Sequence, residues 1–282
     1  MRYQNFFFLI SFFANSLAIA LSFLLLRNNS RKLEQQSLVR MQRFLSDAAH
    51  ELRTPLTTLR MASEVIYSSK DSFDPIVARS AELLVAQLDR FEKLLEDLLE
   101  VSRFDAEVAV LEAVDFDMVQ LVKRCAEDLT LVAKERKTEI YVNSAQPVIM
   151  VKADIRRVER ILRNLLANAI DHSEELQIDV RIEASDHDVA VGVRDYGIGL
   201  DENSLTRVFD RFWRADPSRA RTRGGTGLGL SIALEDARLH NGELEAWGRP
   251  GRGAHFVVTL PRSTWERIDQ RLIPLQPEDY KA

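Results

Sequence analysis

The sequence predicts an α+β protein in three parts. An N-terminal transmembrane helix comes first. An antiparallel helical hairpin follows, of the kind that pairs with a second copy into a four-helix bundle. An α/β sandwich with helices on one face of a mixed sheet completes the chain. Three observations carry this. Residues 6–26 contain no charged side chain. Apolar residues between 77 and 98 recur at alternating four- and three-residue steps. From about residue 116, helix-period stretches alternate with short stretches of period two.

The chain opens on a short N-terminus, residues 1–5. At helical rise, residues 6–26 span the ~30 Å hydrocarbon core of a bilayer. Arg27, Arg31, Lys32, Arg40 and Arg43 follow the segment, whereas only Arg2 precedes it. The positive-inside rule then puts the C-terminal bulk in the cytoplasm, as a single-pass protein of the cytoplasmic membrane. The alternative is a cleaved signal peptide, since Ala18-Ile19-Ala20 resembles a cleavage site. Against it, the apolar run continues through Leu26. Residues 27–41 form a polar juxtamembrane connector.

Residues 42–105 read as the hairpin. Its first helix, from Gln42 to about Ser69, carries Leu45, Leu52, Leu56 and Leu59 on one stripe and is interrupted at Pro55. Asp74 before Pro75 signals the start of a second helix, which runs to about Phe104. Val77, Ala81, Leu84, Leu88, Phe91, Leu95 and Leu98 form a coiled-coil seam on it. One hairpin has too little core to stand alone, so the expected state is a homodimer.

Residues 112–261 read as the sandwich domain. Helix is expected over Phe116–Lys137, strands at 139–143 and 148–152 around a turn at Pro147, and a long amphipathic helix over Ala153–His172. Strands at 177–184 and 189–195 form a meander. A Gly- and Arg-rich stretch over 197–229, a helix to His240 and a strand pair at 243–248 and 254–260 complete it. The tail, 262–282, is polar with two prolines and is expected to be mobile.

The formal net charge of -5 argues against a nucleic-acid partner. Cys125 is the only cysteine, so an internal disulfide is excluded and no metal-ligand spacing surrounds it.

His50 lies five residues after Leu45 and two before Leu52. At about 100° per residue it points roughly 140–160° away from the apolar stripe, toward water. A neutral imidazole offers a lone pair that can attack phosphorus. Asn164 and Asn168, four apart, share one helix face, and an amide oxygen suits Mg²⁺. Asp195 ends a strand, where a carboxylate can accept the exocyclic amine of adenine, and Gly197 and Gly199 follow it. Phe209 and Phe212 precede Arg214; core packing is the plain reading of the aromatic pair. Gly224, Gly225, Gly227 and Gly229 enclose Thr226 and Leu228, then open into a helix, an arrangement that can aim backbone N–H groups at phosphate.

The run Phe44-Leu-Ser-Asp-Ala-Ala-His50-Glu51-Leu-Arg-Thr54-Pro55 resembles the phosphoacceptor segment of sensor histidine kinases. Asn164 to His172 resembles that family's N box, Asp195-Tyr-Gly197-Ile-Gly199 its G1 box, Val208 to Arg214 its F box, and Gly224 to Ser231 its G2 box. The resemblance covers about Phe44 to Pro261, and two stretches of the hairpin look closest to the MtrB-type branch of the family in actinobacteria. It implies a GHKL (Bergerat-type) fold, ATP and Mg²⁺ as cofactors, autophosphorylation of His50, and transfer to an aspartate of a response regulator, with phosphatase activity toward that partner. It further implies Glu51 as proton acceptor, Thr54 as orienter of a hydrolytic water, and Asn168 as the Mg²⁺ ligand with Asn164 in support. Arg214 is implied at the γ-phosphate. His172, Asp195, Gly197, Gly199, Phe212, Gly225, Thr226, Gly227, Leu228 and Gly229 are implied as nucleotide contacts.

Two departures stand out. Asp171 occupies a position where many relatives carry a basic residue, and it must turn away from phosphate or pair with an arginine of the lid, the mobile segment implied over the F box and the following run of Arg219, Arg221 and Arg223. Relatives also have two spans and a sensing domain, so this chain reads as a minimal form or one truncated at its start. The related gyrase- and chaperone-type ATPases carry a water-activating glutamate where Asn164 stands; Asn164 therefore favours transfer over hydrolysis. A catalytically silent scaffold is the alternative of another class.

Overall fold

The computed structural model describes residues 52, 55–104, 111–215, 226–263 and 268–278. The expected span over 6–26 and the connector lie outside these; among the described residues no helix is long and apolar enough to cross a membrane.

In the hairpin, α1 covers 55–68 and α2 covers Pro75–Phe104, joined through a 3-10 turn at Lys70–Ser72. The expected start of α2 is present: the Asp74 carboxylate accepts the Ile76 N–H at 2.9 Å, and its carbonyl accepts from Ala78. The helices run antiparallel. Leu56 packs on Leu95, with Leu88 and Leu99 alongside, while Arg60 meets Glu92 and Asp89. Of the predicted seam, Ala81 and Leu95 are buried, but Val77, Leu84 and Phe91 remain 44–49% exposed. One hairpin thus covers part of its apolar stripe and leaves the rest bare.

The sandwich follows in the order β1 (Val114–Asp117), α3 (Met118–Asp128), α4 (Thr130–Glu135), β2 (Ile140–Ser144), β3 (Met150–Ala153), α5 (Ile155–His172), β4 (Ile178–Ala184), β5 (Asp188–Asp195), α6 (Glu202–Arg207), α7 (Gly229–Leu239), β6 (Glu243–Gly248) and β7 (Ala254–Pro261). Five strands form one sheet in the order β2-β4-β5-β7-β6. The pair β2–β4 is parallel and the others are antiparallel. The mixed sheet, the meander and the closing strand pair match expectation.

The single helix expected over Phe116–Lys137 does not form. Phe116 belongs to β1, opposite Val151 of β3, and the Asp117 side chain caps α3 by accepting from Val119 at 3.0 Å. The chain breaks again at Leu129 before α4. The two strands flanking Pro147 belong to different sheets, because Asp117 also accepts the Ile149 N–H and draws β3 to β1.

α5 is the spine of the domain. Asp154 caps it, accepting from Arg156 and Arg157. Its stripe of Val158, Ile161, Leu162, Leu165, Leu166 and Ala169 is at most 1% exposed and packs with Val189, Val191 and Val193 of β5. Each such side chain contributes about 1.5–3 kcal/mol by leaving water.

Residues 268–278 of the tail lie packed on the sandwich domain. Ile273, 2% exposed, packs on Ala190 and Val257 on the sheet face opposite the helices. The Asp188 carboxylate accepts the N–H groups of Asp269 and Gln270 at 3.0 and 3.1 Å. The tail is polar on average, but Leu272, Ile273 and Leu275 fit the small side chains of that face.

Candidate functional site

α5 links the two ends of the candidate site. Asn164, Asn168 and His172 recur every four residues along one side of it, all half-buried, over roughly 12 Å at helical rise. At one end, the Asn164 side chain abuts the first residue of α7: a Cβ on Gly229 would sit 2.9 Å from Asn164 Oδ1. At the other end, the His172 carbonyl accepts from Ile198 at 3.3 Å, and a Cβ on Gly197 would sit 1.8 Å from that oxygen. Gly197 is therefore required by contact with α5, a reason the sequence alone did not reveal. Gly199, at φ +71°, is pressed against the Arg249 carbonyl in the β6–β7 turn.

Asp195 is 1% exposed at the end of β5. Its Oδ1 accepts the N–H groups of Gly197 at 3.0 Å and Ala254 at 3.3 Å. Its Oδ2 is buried with no hydrogen-bond partner. Burial pushes the carboxyl up to about 6, against the opposing pull of those two N–H groups and the Arg194 guanidinium. A buried acceptor held by one oxygen and open at the other suits a ligand N–H donor.

Of the F-box residues, Phe209 lies against the core and meets Phe256 edge to face, with ring centroids 6.3 Å apart. Phe212 differs: it is 57% exposed, at φ +62°, and its N–H donates to the Gly227 carbonyl at 2.9 Å. Arg214 is half-buried two residues on. The glycine loop is thereby stitched to the F-box segment. Leu228 is fully buried against Ile232, and its N–H donates to the Thr226 hydroxyl at 3.3 Å. Asp171 pairs with Arg136, beyond α4, at 3.8 Å. It is thus matched by an arginine outside the lid.

The expected site residues Asn164, Asn168, His172, Asp195, Gly197, Gly199, Phe212, Arg214, Thr226, Gly227, Leu228 and Gly229 all fall in this region. His50, Glu51, Thr54 and Gly225 lie outside the described residues. Among the described residues no group of three or more His, Cys, Asp or Glu could hold a metal, so an ion here would need oxygens from a ligand beside Asn168. Two features were missed from sequence. The Ala254 N–H holds Asp195 from across the sheet. Asp236 of α7, fully buried, ties that helix to Arg157 and Arg160 of α5. Only an unexplained acid on the inner side of α7 hinted at the second.

Comparison with known proteins places two family models on the chain. The His Kinase A (phospho-acceptor) domain matches residues 40–107, and the histidine kinase-, DNA gyrase B- and HSP90-like ATPase matches residues 153–264. Sensor histidine kinase MtrB of Mycobacterium leprae is 52% identical over 236 residues, covering 84% of this chain and 42% of that protein. Signal transduction histidine-protein kinase AfsQ2 of Streptomyces coelicolor is 38% identical, over 81% of this chain and 43% of its own. The crystal structure of full-length ShkA in complex with AMPPNP superposes with a TM-score of 0.67 at 27% identity, over 77% of this chain and 45% of that one. The chain spans less than half the length of the curated relatives it matches.

Proposed function

This chain belongs to the sensor histidine kinases of two-component systems, and from that premise we propose that it phosphorylates His50 from Mg-ATP and passes the phosphoryl group to an aspartate of a response regulator. The observation that carries the nucleotide reading is the buried carboxylate of Asp195, one oxygen fixed by two N–H groups and the other open. Adenine presents an amine to such an acceptor; guanine presents a carbonyl and would be repelled.

In the proposed reaction, adenine lies by Asp195, Gly197 and Gly199, near His172. The phosphates extend along α5 toward the loop of Gly225, Thr226, Gly227, Leu228 and Gly229, with Phe212 flanking them. Mg²⁺, held by Asn168 and the phosphates and supported by Asn164, would neutralise charge on the transferring group. The His50 ring nitrogen attacks the γ-phosphorus in line, the bond to the β-bridging oxygen breaks, and Glu51 takes the proton from the other ring nitrogen. Arg214 stabilises the charge that builds on the phosphoryl oxygens. Thr54 orients water for phosphatase action on the regulator. The half-bare stripe of α2 at Val77, Leu84 and Phe91 supports pairing of two hairpins, and residues 6–26 anchor the assembly in the cytoplasmic membrane.

Incubation with γ-labelled ATP and Mg²⁺ tests this. Acid-labile label on the chain, lost in His50→Gln and passed to an added regulator, is the expected result. Normal labelling of His50→Gln overturns the acceptor assignment.

A further inference from the structure

The glycine loop is held from two sides. Phe212 donates to the Gly227 carbonyl within the sandwich domain. From the other side, the Thr226 hydroxyl donates to Oδ2 of Asp97, on α2 of the hairpin, at 2.7 Å. Asp97 lies two residues past Leu95, which packs on Leu56 of α1, so this carboxylate projects from the stalk itself. It is partly buried at the contact, and burial pushes its carboxyl above the ordinary range, against the opposing pull of the Thr226 hydrogen bond and the positive charges of Lys93 and Arg160. Arg160 also grips Asp236 on α7. Stalk, spine helix and glycine-loop helix thus meet around one acid.

We propose that the Asp97–Thr226 contact is an autoinhibitory latch: the stalk carboxylate occupies the phosphate-binding loop and competes with the nucleotide for it. This rests on the reading of that loop as a phosphate cradle. A hydroxyl has one proton to donate, and here it goes to Asp97. The same hydroxyl accepts from Leu228, so both its roles are engaged by protein groups. A carboxylate fixed against the loop also sets one negative charge beside the place where others must bind. Nucleotide must break the latch to seat its phosphates. By the same linkage, bound nucleotide frees the sandwich domain from this face of the hairpin.

The test uses the whole chain and a fluorescent ATP analogue with Mg²⁺. Asp97→Ala is expected to bind it about three- to tenfold more tightly than the unaltered chain, the range for loss of one ordinary, partly solvated hydrogen bond. Asp97→Asn keeps the shape and helix compatibility of the residue but removes its charge. It is expected to bind more tightly too, and it decides the matter if Asp97→Ala fails to fold. Equal or weaker binding by a folded variant sinks the latch and leaves the proposed function standing. Failure of the unaltered chain and the variants alike to bind the analogue sinks both. Faster autophosphorylation of His50 in the variants, without a change at saturating ATP, is the expected companion result.

Discussion

Arg160 of α5 holds the carboxylate of Asp236 on α7 with two hydrogen bonds, Nε to Oδ2 at 2.6 Å and Nη2 to Oδ1 at 2.7 Å. Arg157 adds a third from its Nη1 at 2.9 Å. Asp236 is fully buried, so its charge depends on these partners. The backbone carbonyl of Asp236 also meets the His240 ring, whose other nitrogen accepts the Asp154 N–H at the start of α5. Both helices that carry the candidate site are therefore fixed at one junction.

Asp236→Ala would leave two arginines facing a dry gap, at a cost of about 3–5 kcal/mol in stability. Urea unfolding should show a lower midpoint with an unchanged slope. A loss under about 1 kcal/mol would mean that water enters and hydrates the arginines.

Asp195 should make stability depend on pH in an unusual direction. Its folded value, about 6, lies above the ordinary 3.8. The contribution of a raised acid is fully present below the unfolded value and is lost as pH rises through the folded one. Asp195→Asn keeps the shape and remains neutral. The unaltered chain should therefore lose stability relative to Asp195→Asn between about pH 4 and pH 6. The same variant should lose adenine-nucleotide binding, since its amide can turn a donor toward the adenine amine. A flat stability difference across that range would show that the carboxyl is already ionised at pH 5.

The fold was largely legible because its main signals are local. The stripe of α5, the meander of β4 and β5, and the Asp74–Pro75 helix start each lie within a short stretch of chain, and each formed as expected. What failed was long-range. Asp117 tethering Ile149 moved β3 to another sheet, and Ile273 found a place on Ala190 and Val257 that no local pattern in the tail announced. In the candidate site, residue types were readable but their supports were not. Gly197 was read only as a nucleotide contact beside Asp195, whereas its missing side chain makes room for the His172 carbonyl.

Gly197→Ala tests that difference. The added methyl would lie 1.8 Å from the His172 oxygen and 2.7–2.8 Å from other backbone carbons, so the loop must move away from α5. Asp195 would then lose the Gly197 N–H that fixes it. Nucleotide affinity should fall by at least about tenfold, while the core under α5 should keep its amide-exchange protection. Retained affinity would mean that the loop can shift without carrying Asp195 along.

Ile273 gives the last test, because it asks whether the tail belongs to the sandwich domain. Removing its buried side chain in Ile273→Ala should cost about 2–4 kcal/mol, within the range for large-to-small changes in cores. Ile273→Asp should cost more, since a carboxylate there would be taken out of water against Ala190 and Val257. The backbone ties of Asp269 and Gln270 to Asp188 hold the segment before it, so the damage should stay on the outer sheet face. Limited proteolysis should cut near 268–278 sooner in Ile273→Asp than in the unaltered chain, with the helix-covered face still protected. Equal resistance would mean that the Asp188 ties and the bond between His255 and the Leu275 carbonyl hold the tail without its apolar anchor.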